Sequence, residues 1–455
     1  MRDISGWVLL LRGAILTYGF ALLAQLLSAA TGLVFVNLLP KDEFAVFAVF
    51  TALLQAFVAQ SDFGTSGAVG YFYREHSSWG SFKTIALPAI ARMRLQFFIV
   101  GGIVLIILFV SSPATQVVTT IRTSELLFLA IGTACFGMVT GLQATVLNVR
   151  GHASTSVRID AAASFVRLAL AVGMVVFHFV SAEAALIVSL ASTIFSFLIG
   201  RLYVPEIPLG LPRKYNNNEQ RRLFRYVLPL IPGFLYYALQ PSILIWLSAI
   251  FGNTQQVAEV GAISRIGQII ALLGFGLNFF ALPHLANLRD ERAFRRSYVF
   301  IWLILSGLAF TVFVGVTLLR RDFLLLLGPK YSNLDNEVIL VAGTSLLYVL
   351  ASYAGIVNRV RGWNKLEPLV MIAQFIAQVL LIAYLPLNST THILIVGFGY
   401  AVVGALILFG VNIIGFVRPG WATSSPRIAD AMGAEPCAPS VLAGVRRKCR
   451  KTLSN

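Results

Sequence analysis

Two arginines stand inside long apolar runs, where a charge costs several kcal/mol unless it meets water or a partner. Arg265 lies in "EVGAISRIGQII" and Arg167 in "RIDAAASFVRLAL". A guanidinium keeps its charge and presents five N–H donors in a planar fork, so the chemistry it offers at such depth is holding an anion. One helical turn either side of Arg265 brings Gly261 and Gln268 to its face. Arg167 stands two turns beyond Asp160, and its side chain either snorkels to the membrane surface or faces a cavity. Asp62, Arg74, Arg92 and Arg94 gather near the ends of two neighbouring runs, where interfacial anchoring competes with a role in binding. Gln25, Gln55, Gln60, Gln268, Asn278, Gln374 and Gln378 are amides within runs, able to hydrogen-bond between helices or to a polar solute. The candidate substrate-binding set is therefore Arg265, Arg167, Arg74, Arg92, Gln268, Asn278 and Gln55. Arginine outweighs carboxylate in and beside the runs, so a cavity made of these residues suits an anion and not a cation.

Other chemistry has little to stand on. Asp42 and Glu43 are adjacent carboxylates in "FVNLLPKDEFAVFAVF", but neighbours at a solvated turn cannot face one substrate as an acid/base pair. They read as the end of one apolar run and the start of the next. His284 and Asp290 lie six apart, a poor match for a catalytic His/Asp pair, and no nucleotide, metal or nucleophile motif occurs. No catalytic residue, metal or cofactor is expected. The three cysteines, Cys135, Cys437 and Cys449, make no disulfide framework.

The elements that must position these side chains are apolar helices. The chain of 455 residues is 58% hydrophobic and only 12% charged, about half the charged fraction of a soluble domain. Its apolar residues fall in blocks of roughly 20, the length of helix that crosses about 30 Å of hydrocarbon. Blocks at 13–36, 44–65, 84–110, 124–148, 159–180 and 183–203 are followed by six more at 226–250, 257–283, 298–319, 336–358, 367–386 and 392–417. The reading is an all-α polytopic membrane protein of about twelve transmembrane helices.

Charge supports an even count. With the N-terminus inside, only Lys41, Arg122, Arg320, Arg321 and Lys330 of the 35 basic residues fall in outer segments. Arg167 and Arg265 fall in spans, and the rest are inner, as the positive-inside rule requires with both termini cytoplasmic. The same bias accounts for the net charge of +16 without nucleic acid. The longest inner connection, "VPEIPLGLPRKYNNNEQRRLFRY", divides six blocks from six. Phe63-Gly64 in the first half and Phe275-Gly276 in the second fall in register, which suggests two repeated bundles. The expected organisation is an N-lobe over 1–203, a cytoplasmic linker over 204–225, a C-lobe over 226–418 and a disordered basic tail over 419–455, which could touch anionic membrane lipid.

The sequence resembles the bacterial polysaccharide transporter family, the flippases for O-antigen and exopolysaccharide repeat units within the multidrug/oligosaccharidyl-lipid/polysaccharide superfamily. The resemblance rests on "NLLPKDEFAVFAVF" followed by "SDFG", on "SRI" and "LPHLANL" in the eighth span, and on "LLLLGPKYSN" before the tenth. The sequence departs from that pattern at Asn37, where an arginine is frequent, and at Pro40 and Ala45, where glycines are. The resemblance implies a MATE-like pair of six-helix lobes around a basic cavity in the bacterial cytoplasmic membrane. It also implies a flippase, not an enzyme, whose partner is a polyprenyl-pyrophosphate-linked oligosaccharide and whose neighbours include other polysaccharide-assembly membrane proteins. The alternatives are a drug/cation antiporter of the same superfamily, which would need buried carboxylates, and a glycan polymerase or ligase, which would need a large outer loop.

Overall fold

Hydrophobic runs of this length, punctuated by Pro, Ser, Asn and Asp, fold into helices whose ends are set by those polar residues. The computed structural model describes the backbone of residues 2–76, 78–112, 120–207, 217–228, 231–288, 290–361, 363 and 367–418. The expected tail over 419–455 lies outside the described residues. The helices are α1 (Arg2–Leu38), α2 (Lys41–Asp62), α3 (Thr65–Glu75), α4 (Trp79–Val110), α5 (Thr120–Val149), α6 (Ala153–Val176), α7 (Ala182–Tyr203) and α8 (Asn217–Val227). They continue with α9 (Ile231–Phe251), α10 (Thr254–Asn287), α11 (Glu291–Leu318), α12 (Arg320–Leu325), α13 (Asp335–Arg361), α14 (Glu367–Tyr384) and α15 (Thr390–Val417), with one 3-10 turn at Pro329–Tyr331.

Among the described residues ten helices are long and apolar enough to cross a membrane. An eleventh span, α9, bends by 53° between Ile231–Tyr237 and Leu239–Phe251. Pro241 supplies the cause, since it lacks an N–H and its ring crowds the carbonyl four residues back, that of Tyr237. The apolar helix Pro368–Tyr384 within α14 is shorter. The twelve expected blocks therefore fall on α1, α2, α4–α7, α9–α11 and α13–α15, in an all-helical multi-pass membrane protein.

Caps explain several boundaries. The side chains of Ser78, Ser181, Asp290 and Ser389 each accept a backbone N–H of the first turn that follows, and Asn253 and Gln256 form a reciprocal capping box at the start of α10. Each such cap contributes about 1 kcal/mol. Within the first seven helices, α1 lies along α6, α5 along α7 and α2 against α4 and α5. Within the later ones, α10 and α15 flank α13, and α14 packs on α15. The two sets meet where α2 touches α9 and α10 and where α1 touches α10. Accordingly α2 is the most enclosed span, with Phe44, Phe47, Phe50, Leu53 and Phe57 buried. By contrast α4 and α11 leave Ile103, Ile107, Phe300 and Phe310 more than half exposed, as helices facing hydrocarbon do.

The motif shared by the two halves does not carry a shared backbone shape. Phe63 (φ 30°) and Gly64 (φ 85°) adopt left-handed conformations that separate α2 from α3, whereas Phe275 and Gly276 lie within the unbroken α10. The long connection also contains structure of its own, since α8 forms a separate helix ahead of α9.

Candidate functional site

Where α1, α2, α6 and α10 converge, the helices leave a cavity of about 390 Å³. It is lined by Gln25, Ser28 and Ala29 of α1, Thr51 and Gln55 of α2, Arg167 of α6, and Arg265, Gln268, Ala271 and Leu272 of α10. At 1.5 Å per residue, Arg265 stands about 16 Å in from the start of α10, and Arg167 about 14 Å in from the end of α6. Both are thus about half a hydrocarbon thickness from the end of the bundle that carries the α1–α2 turn.

Each guanidinium is anchored at one edge and open elsewhere. Arg265 Nη1 donates to Gln268 Oε1 at 3.3 Å, and Arg167 Nη2 donates to Ser189 Oγ at 3.0 Å. Nε of both arginines and Oγ1 of Thr51 are buried without a hydrogen-bond partner. Among the described residues no carboxylate lines the cavity and neither arginine belongs to an ion pair. Gly32 of α1 makes room for the Arg265 stem, because a Cβ there would lie 3.0 Å from Arg265 Cδ. Gly261 serves a different contact: its missing Cβ would meet Ala48 Cβ at 3.0 Å and Phe44 at 3.2 Å, so it brings α10 close to α2. Two unneutralised guanidiniums with free donors, rimmed by amides and hydroxyls, can hold an anion with several acceptor oxygens.

The structure brings Arg265, Arg167, Gln268 and Gln55 of the sequence-derived set to one cavity. Arg92 lies on α4 and is not among the lining residues. Arg74 is on α3 and Asn278 on α10, but their side chains lie outside the described residues. Gln25, Ser28 and Thr51 join the lining although the candidate set omitted them. Their signal was pairing at helical spacing: Gln25 with Ser28, Thr51 with Gln55 and Arg265 with Gln268 each share one helix face.

Arg94 has the opposite environment. Only 3% exposed, it donates from Nη2 to Asp62 Oδ1 at 2.5 Å and to Ser66 Oγ at 2.6 Å, from Nε to Thr65 Oγ1 at 2.6 Å, and from Nη1 to the Met138 carbonyl at 3.3 Å. Asp62 Oδ1 also accepts from Thr65 Oγ1 and from the Ser66 N–H, both at 2.8 Å, and so caps α3 across the left-handed break.

The end of the cavity toward the α1–α2 turn is fastened. Lys330 Nζ donates to the carbonyls of Asn37 and Leu39 at 2.9 Å each, and Asn37 Nδ2 donates to the Leu326 carbonyl at 2.7 Å. Gly328, at φ 87°, is where this clasp turns, and a Cβ there would lie 2.5 Å from Asn37 Oδ1. Lys41 adds an ion pair to Glu259 at 3.8 Å. Glu43 is not the solvated punctuation expected from sequence. It pairs with Arg122, which also pairs with Glu183, and it accepts the Ala182 N–H at 2.8 Å, tying α2 to α5 and α7.

No family profile and no curated protein sequence matches the chain. Solved structures do resemble it. An inward-facing multidrug resistance MATE family transporter of the MOP superfamily superposes with a TM-score of 0.60 at 14% identity, covering 90% of this chain and 100% of the other. The eukaryotic MATE transporter AtDTX14 gives 0.58 at 13% identity, over 90% and 96% of the two chains. A MATE in complex with MaL6 gives 0.58 at 14% identity, over 90% and 95%. The chain therefore has the fold of the MATE transporters of the MOP superfamily. Within that fold, its own residues place two unpaired arginines at the meeting point of the two helix sets.

Proposed function

We propose that the protein is a flippase that moves a polyprenyl-pyrophosphate-linked oligosaccharide across the bacterial cytoplasmic membrane, with both termini cytoplasmic. The observation that carries this reading is the central cavity with two guanidiniums and no carboxylate. A sugar–pyrophosphate head cannot enter hydrocarbon unaided. Arg265 and Arg167 would hold its phosphate oxygens through charge-assisted bonds, worth roughly 1.5–3 kcal/mol each. Gln25, Gln55, Gln268 and Thr51 would serve the neighbouring sugar hydroxyls. The clasp of Lys330, Asn37 and Lys41 would keep the outer end shut while the cavity loads from the inner side, and its opening would release the head outward. Surface-polysaccharide assembly proteins of the same membrane are the proposed neighbours.

A drug/cation antiporter is the second reading, favoured by the multidrug transporter among the structural neighbours. The two readings differ in the sign of the cargo, and the lining argues for an anion. Proteoliposomes containing a short-chain lipid-pyrophosphate oligosaccharide test them together. Inside-to-outside transfer that falls in Arg265→Gln is the expected result. Cation efflux with no glycolipid transfer would overturn the flippase reading.

A further inference from the structure

A second basic site lies far from the central cavity, at the α8 end of the bundle. Between α8 and α4 runs a groove of about 670 Å³, lined by Met93, Gln96, Phe97 and Val100 on one side and by Asn217, Gln220, Arg221, Phe224 and Arg225 on the other. We infer that this groove binds an anionic phospholipid of the bilayer, with the phosphate on Arg221 and Arg225 and an acyl chain along Phe97 and Val100.

The charge of α8 is sorted by face. Glu219 is its only carboxylate, and Arg222 takes it at 3.1 Å while also pairing with Glu75 of α3 at 2.5 Å. Leu223 and Val227 are buried in the core beneath, and Tyr226 stacks on Tyr71 with ring centroids 5.0 Å apart. The helix is therefore docked, and Gln220 Nε2 fixes it to Gln96 Oε1 at 2.9 Å. Arg221 and Arg225, four residues apart, remain on the groove side, and among the described residues neither forms an ion pair.

Depth and continuity identify the occupant. Counting back about 20 residues from the end of α4, the hydrocarbon boundary falls close to Arg92 and Met93. Phe97 and Val100 then lie about 6 and 11 Å inside the boundary, and the arginines of α8 lie beside it. Val100, Ile103, Val104 and Ile107 recur at helical spacing and are all more than half exposed, so the groove floor continues without interruption into the lipid-facing stripe of α4. An anionic head joined to a long apolar tail complements both halves. Inorganic phosphate would use only the head end.

Native mass spectrometry of the full chain, released from micelles holding equal phosphatidylglycerol and phosphatidylcholine, tests the site. The wild type is expected to retain phosphatidylglycerol selectively. Arg221→Gln and Arg225→Gln should each lower that retention about fivefold, with the double variant lower still and melting unchanged. Val100→Trp, which leaves the charge intact, should also lower it by narrowing the tail path. Arg292→Gln, an exposed arginine on α11, should have no effect. Undiminished retention in the double variant would overturn the assignment. So would displacement of the lipid by millimolar inorganic phosphate, or full retention in Val100→Trp, since either would mark a site for the head alone.

Discussion

Arg94 and Arg265 both bring a guanidinium into a bundle of apolar helices, and their surroundings differ in almost every respect. Arg94 meets a carboxylate, two hydroxyls and a carbonyl, and Asp62 in turn caps α3, so the group is neutralised and four of its five N–H donors are used. Arg265 has one amide contact, an unused Nε, a bare glycine under its stem and a second cation, Arg167, lining the same cavity. A buried charge with a full set of partners stabilises a geometry, here the break between α2 and α3. One without such partners has its donors available for cargo. Burial among apolar helices alone does not distinguish these roles, whereas the inventory of partners does.

Mutation separates the two arginines. The largest effect is expected at Arg94: Arg94→Met strands Asp62 against apolar helices and should destabilise the fold by about 3–5 kcal/mol. Thermal unfolding in detergent reads this, and adding Asp62→Asn should restore part of the loss. An Arg94→Met variant that melts like the wild type would remove the structural role. Next come Arg265→Gln and Arg167→Gln, each expected to cut transport by roughly 10- to 100-fold, the equivalent of one charge-assisted hydrogen-bonding partner. Their melting temperature should hold or rise, because an unpaired charge has been removed from the cavity wall. A fall in melting temperature matching that of Arg94→Met would abolish the distinction between the two arginines.

Smaller effects are expected at Glu43 and Gly32. Glu43→Gln loosens Arg122 and weakens the bond to the Ala182 N–H, and about 1 kcal/mol of stability should go, with transport retained. Double-mutant cycles with Arg122→Gln measure that coupling. The least change is expected from Gly32→Ala. The new methyl would press on Arg265 Cδ at 3.0 Å, but that stem is flexible, so about a twofold loss of transport without loss of stability is expected. A Gly32→Ala variant with wild-type transport and a lower melting point would place the cost of that glycine in helix packing.

Much of this was legible in the residues. The twelve apolar blocks map onto helices because hydrophobic length and capping side chains are local signals. Arg265, Arg167, Gln268 and Gln55 could be proposed because a charge or amide at membrane depth has few inexpensive explanations. Three features depend on contacts that the residues alone do not reveal. Glu43 looks like loop punctuation because its partners, Arg122 and the Ala182 N–H, lie 79 and 139 residues away in the chain. The candidate set takes Arg92 and leaves out Arg94; Arg92 is not among the residues lining the cavity, and Arg94 faces Asp62, since positions two apart on a helix face different neighbours. The Phe-Gly match between the halves hid a difference in backbone, since the left-handed break at Phe63 and Gly64 is held by the Asp62 cap and its Arg94 partner.

By itself the sequence determined that this chain must be a bundle of membrane-spanning helices, because no soluble fold could hide so much apolar surface and backbone groups in lipid must bond within helices. It also determined that cations outnumber carboxylates at depth. Only the tertiary structure decided which cations are neutralised. Ion pairing depends on what faces each guanidinium from other helices: Asp62 beside Arg94, Glu43 and Glu183 beside Arg122, and, among the described residues, no carboxylate lining the cavity of Arg265 and Arg167.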